Sequence, residues 1–157
     1  RSTANLLYYK EAGALNESFS DIFGEAVEDY AKEEGTDWLI GGDFHTSSGA
    51  AFRDMSNPNA EGHPDTYLGD LWTNTSGDNF GVHSNSGVQN FWFYLLTSGG
   101  TGTNDNGEDF EVNALGIDVA GDIAFRNLQF YLVRLSQHRD ARMGALLAAE
   151  DIHGLCS

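Results

Sequence analysis

The sequence predicts a mainly α domain with a long irregular loop region between its first two helices, and three stretches carry that prediction. "GALNESFSDIFGEAVEDY" sets Leu15, Phe19, Ile22, Ala26 and Tyr30 on one side. Its acidic residues Glu17, Asp21, Glu25 and Glu28 fall within an arc of roughly 80° at about 100° per residue. "GVQNFWFYLL" is apolar nearly all round, as in a helix surrounded by protein. Between the two, Thr36 to Gly81 is dense in Gly, Ser, Asn and Asp and holds both prolines. That composition breaks regular structure. So long a connection inside a compact domain usually serves a function, because ordering it is entropically costly.

At 157 residues the chain fits one domain, residues 1–157, large enough to bury a single core. Eight Lys and Arg stand against 24 Asp and Glu, a net charge of −16. Such a chain repels a phosphate backbone and anionic lipid, which argues against nucleic acid and membrane surfaces and for metal cations or cationic partners. The longest apolar run, "FWFYLL", is far short of the ~20 residues that cross a bilayer. No charged-then-apolar leader opens the chain, so an export signal is expected outside it. Cys156 is the one cysteine and has no partner for an intrachain disulfide.

Taken in order, residues 1 to 12 read as an irregular lead-in, followed by a helix from about Gly13 to Glu34 that ends at Gly35. The acidic stripe on it reads most plainly as a solvated face. A second helix is expected from about Ser86 to Thr97, then a Gly/Asn/Asp loop from Ser98 to Asp109 whose spacing misses the EF-hand pattern. Two more helices follow. One runs from about Val119 to Leu135 with Asp118 as N-cap, the other from about Asp140 to His153 with Gly154 as C-cap.

Three residues invite chemistry. His83 stands where loop meets helix, five residues after Asp78, a position that either fixes its tautomer and aims it into a cleft or bonds it to a loop carbonyl. Arg53, in "AAFRDMSNP", suits a carboxylate or carbonyl through its planar fork, or clamps two loops. Tyr8, in "LLYYKEAGALNE", aims a phenol at the same cleft or merely packs.

"GALNESFSDIFGEAVEDY", "DWLIGGDF", "AAFRDMSNP" and "DNFGVHSNSGVQNFWFYLL" together resemble, in order and spacing, the C-terminal domain of thermolysin-like zinc metallopeptidases, the family that includes pseudolysin. After about Leu96 the resemblance rests on helix count. It implies that Glu17 is the third protein ligand of a catalytic zinc and that Asp21 orients a zinc-binding histidine from one turn away. It further implies one structural Ca²⁺ at Glu25, Glu28, Asp37 and the Leu39 carbonyl, with one more carboxylate ligand upstream of Arg1. Leu39 and Gly42 stand where a second calcium would want carboxylates. His83, backed by Asp78, matches the histidine that stabilises the oxyanion of the tetrahedral intermediate, and Tyr8 its helper. Arg53 matches the residue gripping the substrate carbonyl beside the S1′ pocket, which Phe52 would line.

A zinc site of this class also needs two histidines and a general-base glutamate from HExxH, and this sequence has no HExxH. The family places that motif just upstream of Arg1, on an N-terminal peptidase domain that would be this chain's partner. The resemblance thus implies half of the active site of a secreted endopeptidase cutting before bulky apolar residues, with Zn²⁺ and Ca²⁺ as cofactors and peptide as substrate. The isolated chain is expected to be inactive. The rivals are a non-catalytic, calcium-stabilised helical binding module and a peptidase whose processed chain is cut at Arg1; the sequence upstream of Arg1 separates the first rival from the peptidase.

Overall fold

The computed structural model describes residues 3–42 and 51–154; Cys156 and the expectations for Arg1 lie outside them. Helix α1 spans Lys10–Ala31 and buries Leu15, Phe19 and Ile22. It starts three residues earlier than its pattern suggests and ends at Ala31, before Gly35, with Lys32 extended as C-cap. Its face differs from the periodic reading at both ends of the polarity scale. Tyr30, placed among the apolar residues, is 93% exposed, whereas Asp21 and Glu25 of the acidic stripe are only 5% and 2% exposed. Carboxylates are buried in this way only when something holds them.

After α1 the chain makes the expected excursion. Strands β1 (Leu39–Ile40) and β2 (Arg53–Asp54) pair antiparallel with Ile40 opposite Arg53, and a 3₁₀ turn at Pro58–Glu61 follows. Helix α2 (Asp78–Asn85) leads into α3 (Gly87–Ser98), which matches the second expected helix to within a residue. Where a plain loop was expected, strands β3 (Gly100–Thr103) and β4 (Asp109–Val112) form a hairpin. The long third helix is broken: α4 covers Ile117–Arg126, a π-helical turn takes Asn127–Tyr131, and Leu132 is extended. Gly116, not Asp118, is its N-cap. Helix α5 (His138–His153) ends, as expected, on Gly154.

The core gathers Leu15, Phe19 and Ile22 of α1, Met55 after β2, Phe93 of α3, Ala120 and Ala124 of α4 and Leu132. Helix α1 lies at its centre, packed on α2, α3, α4 and α5. At Gly13 a Cβ would stand 2.4 Å from Val82 Cγ1, so the absence of a side chain there lets α2 close onto α1. That contact brings α2 over the acidic face of α1.

Candidate active site and cation site

Helix α2 does not begin as a right-handed helix. Asp78, Asn79, Phe80 and Gly81 have φ of 53°, 48°, 68° and 80°, a left-handed turn of four consecutive residues. Three of them are L-residues that disfavour this region by roughly 1–2 kcal/mol each, so the neighbours must hold the turn in place. Phe80 is met edge-on by the Tyr9 ring at 5.2 Å, with Lys10 Nζ 4.9 Å from its centre. Asn85 donates to the Thr73 carbonyl and accepts from the Thr73 N–H. At Gly81 a Cβ would reach Thr73 Cγ2 at 2.2 Å. Strain held by its surroundings is characteristic of sites where a side chain must point one way.

The side chain so aimed is His83. Both oxygens of Asp78 serve it: Oδ2 accepts from its backbone N–H at 2.9 Å, and Oδ1 lies 2.5 Å from its Nδ1. On the other side of the ring, Nε2 is 3.0 Å from the Tyr8 hydroxyl. Tyr8 donates to Glu17 Oε1 at 2.6 Å, leaving its oxygen to accept. The His83 ring thus lies between Asp78 at Nδ1 and Tyr8 at Nε2. The Asp78 carboxyl lies below its usual range: burial pushes it up, but the His83 ring and backbone N–H outweigh that. Burial, then the hydrogen bond and charge of Glu17, push the Tyr8 phenol up to about 12. Tyr8 thus stays a proton donor at neutral pH.

One turn along α1, Asp21 receives Arg53 in a fork, Nε to Oδ2 at 2.6 Å and Nη2 to Oδ1 at 2.7 Å. Asn90 of α3 adds a third bond at 2.8 Å. Burial alone would lower the Arg53 pKa, but the Asp21 carboxylate raises it. Arg53 Nη2 also approaches Glu17 Oε2 to 3.8 Å, and His83 Nε2 comes within 3.6 Å of the same oxygen. Phe52, neighbour of Arg53, is tied to β1 by its N–H on the Ile40 carbonyl and holds its ring 57% exposed over Gly41.

A second cluster lies toward the end of α1. Ligand atoms of Glu25, Glu28 and Asp37 lie within 4.8 Å of one another. Burial, reinforced by the charges of Glu28 and Asp37, pushes Glu25 up to about 7, although the Thr36 hydroxyl relieves it in part. Lys32 pairs with Glu28. Leu39 is joined to the cluster by its N–H on Asp37 Oδ1 at 2.9 Å. Three hard oxygen donors, one of them buried at an electrostatic cost, fit a cation of the Ca²⁺ type.

The residues expected for chemistry therefore form two groups. Tyr8, Glu17, Asp78 and His83 form one hydrogen-bonded series, with the Asp21–Arg53 pair 3.8 Å from Glu17 and Phe52 beside it; Glu25, Glu28 and Asp37 form the other group. Asn90 and Thr36 were not anticipated. The signal for Asn90 was available, since Gln89 and Asn90 interrupt an otherwise apolar helix.

Fold and site together define a helical domain that presents a carboxylate, a histidine and a tyrosine on one surface. A model of the thermolysin metallopeptidase alpha-helical domain matches residues 4–157, and the chain belongs to that family. It is 43% identical over 157 residues to the thermostable neutral protease NprT of Geobacillus stearothermophilus, an alignment covering 99% of this chain and 27% of that protein. To bacillolysin of Bacillus cereus it is 42% identical over 155 residues, 98% of this chain and 26% of the other. Among solved structures, the precursor of protealysin, a metalloproteinase from Serratia proteamaculans, superposes with a TM-score of 0.73 at 27% identity. That match covers 97% of this chain and 48% of the protealysin precursor. The chain thus spans about a quarter of the length of these curated relatives.

Proposed function

We propose that the chain supplies the C-terminal half of the active site of a secreted, zinc-dependent endopeptidase that hydrolyses peptide bonds before bulky apolar residues. The observation that carries this reading is the convergence of Tyr8, His83 and Glu17 within hydrogen-bonding reach. Zinc suits the Glu17 carboxylate as one oxygen ligand, and when bound it supplies Lewis-acid polarisation and a water acidic enough to act at neutral pH. The two further protein ligands and the general base belong to an HExxH-bearing N-terminal domain. Asp21, held by Arg53 and Asn90, keeps a lone-pair position with which it orients a ligating histidine beside that site. His83 and Tyr8, two donors 3.0 Å apart, turn from each other and from Glu17 to the oxygen on which negative charge develops. Asp78 keeps the imidazole oriented while it donates. Arg53 grips the substrate carbonyl, and Phe52 walls the pocket for the residue beyond the cut bond.

A structural Ca²⁺ at Glu25, Glu28, Asp37 and the Leu39 carbonyl ties the end of α1 to the following loop. Without HExxH the chain alone cleaves nothing. A second reading is a calcium-stabilised binding module that keeps the fold without catalysis, and the sequence upstream of Arg1 separates it from the first: HExxH there supports the peptidase, its absence there the module.

Kinetics separate the two. In the complete enzyme, His83→Ala lowers kcat on an amide substrate by about 10²-fold or more with a modest change in KM, because an oxyanion donor acts mainly in the transition state. An unchanged kcat removes His83 from the mechanism.

A further inference from the structure

Tyr8 and His83 stand on two short segments, each of which holds an L-residue in the left-handed region. Tyr8 precedes Tyr9 and Lys10, and Lys10 opens α1 at φ 51°. His83 follows the turn Asp78–Gly81, in which Phe80 has φ 68°. Asp and Asn visit that region more readily than most residues and Gly81 enters it freely, but a bulky aromatic residue there is an outlier. Glycine at position 80 would take the same φ without strain. The strain at Phe80 is offset by what its ring touches.

It touches the other segment. The Phe80 and Tyr9 rings meet edge-on, with centres 5.2 Å apart and planes at 74°, and the Lys10 ammonium lies 4.9 Å from the Phe80 centre and 5.3 Å from that of Tyr9. Edge-to-face rings and a cation over a ring both attract beyond simple apolar contact. The residue after Tyr8 and the one following it thus grip the turn that leads into His83. A second contact joins the same segments at Gly13, where a Cβ would stand 2.4 Å from Val82 Cγ1 and 3.1 Å from the Tyr8 carbonyl carbon, so the neighbour of His83 lies against the backbone of Tyr8. Held by these two contacts, the Tyr8 hydroxyl and His83 Nε2 come to 3.0 Å, with their rings at 72°. Two donors that serve one oxygen depend on that spacing, since a misplacement of about 1 Å caused far from the chemistry can cost ~10²-fold in rate.

We propose that Phe80 is a positioning residue: clasped by Tyr9 and Lys10, its ring locks the segment bearing Tyr8 to the turn bearing His83 and so sets the spacing of the two donors. The proposal rests on the reading of Tyr8 and His83 as oxyanion donors. In the complete enzyme Phe80→Gly, whose backbone is at ease at this φ, is expected to stay folded by circular dichroism and to lower kcat on an amide substrate about 10-fold, with KM changed less than about 2-fold. Phe80→Leu, as strained as the parent but without a ring, is expected to lose activity likewise, and Phe80→Tyr to retain it. In a His83→Ala background Phe80→Gly is expected to remove nothing more, because residues that act as a unit are not additive. In this chain, the nuclear Overhauser contact between the Tyr8 and His83 rings is expected to weaken in Phe80→Gly and to survive in Phe80→Tyr. Parent-like kcat in Phe80→Gly or Phe80→Leu, a loss that adds in full to that of His83→Ala, or a ring contact unchanged by Phe80→Gly overturns the proposal. A kcat unaffected by His83→Ala overturns instead the donor reading itself, and the ring contact then still decides whether Phe80 holds Tyr8 against His83.

Discussion

Removing the Arg53 guanidinium leaves the Asp21 carboxylate at 5% exposure with one remaining donor, Asn90. Breaking a buried ion pair from one side costs about 3–5 kcal/mol, because the other charge stays desolvated. Arg53→Met keeps the stem that packs over β2 and deletes only the fork. The surviving Asn90 bond and the 14% exposure of the Arg53 side chain put the loss at the low end, about 3 kcal/mol. Unfolding 157 residues carries an entropy of about 0.33 kcal/mol per kelvin, so the melting temperature should fall by about 9 °C. Pairing Arg53→Met with Asp21→Asn removes the stranded charge and should restore more than half of that. The assay is thermal unfolding followed by circular dichroism at neutral pH in the absence of added metal. A single variant that melts within 2 °C of the parent, or a double variant no better than the single, would refute the reasoning that Asp21 is buried at the cost of needing Arg53.

Two further outcomes follow from the same electrostatics. Calcium at about 100 times its dissociation constant should stabilise the fold by about 2.7 kcal/mol, a rise of about 8 °C, and Glu28→Gln should shrink that response at subsaturating ion; an undiminished response removes Glu28 from the site. Glu11 is held below its ordinary value of 4.5: burial opposes this, but the His138 bonds and charge and the Tyr67 hydroxyl outweigh it. A depressed carboxyl stabilises the fold above that ordinary value and loses its contribution as pH falls through the lower folded value. Melting temperatures between pH 5 and 2 should therefore drop more steeply for the parent than for Glu11→Gln, and parallel curves would show that Glu11 contributes nothing.

What could be read from the sequence was whatever local periodicity and punctuation encode. α3 is recognisable because its apolar run FWFYLL is followed by Gly99, which takes a positive φ and closes the helix, and α5 because Gly154 closes it. The candidate site was legible through its resemblance to a family, residue by residue. The burial of Asp21 was not, because its partners Arg53 and Asn90 are 32 and 69 positions away and only the tertiary fold brings them to it. Glu25 escaped for the same reason, with Thr36 across the turn. The β3–β4 hairpin was hidden by "GTGT", whose glycines give no apolar alternation, although Asn104–Gly107 is a turn signal in retrospect. The break after Arg126 was hidden by Asn127, which looks helical yet is buried and donates to the Ala141 carbonyl at 2.7 Å, pinning the π turn against α5. The left-handed turn at Asp78–Gly81 contains one glycine, so three of its four residues gave no conformational warning.

The half-site proposal comes down to whether Glu17, His83 and Tyr8 work only when a second half is present. Its most direct test is hydrolysis of a fluorogenic peptide by the purified chain with zinc and calcium, alone and mixed with a separately produced N-terminal half bearing HExxH. Cleavage only in the mixture, abolished by Glu17→Ala in this chain, is the expected result. Cleavage by this chain alone that is lost in Glu17→Ala would contradict it.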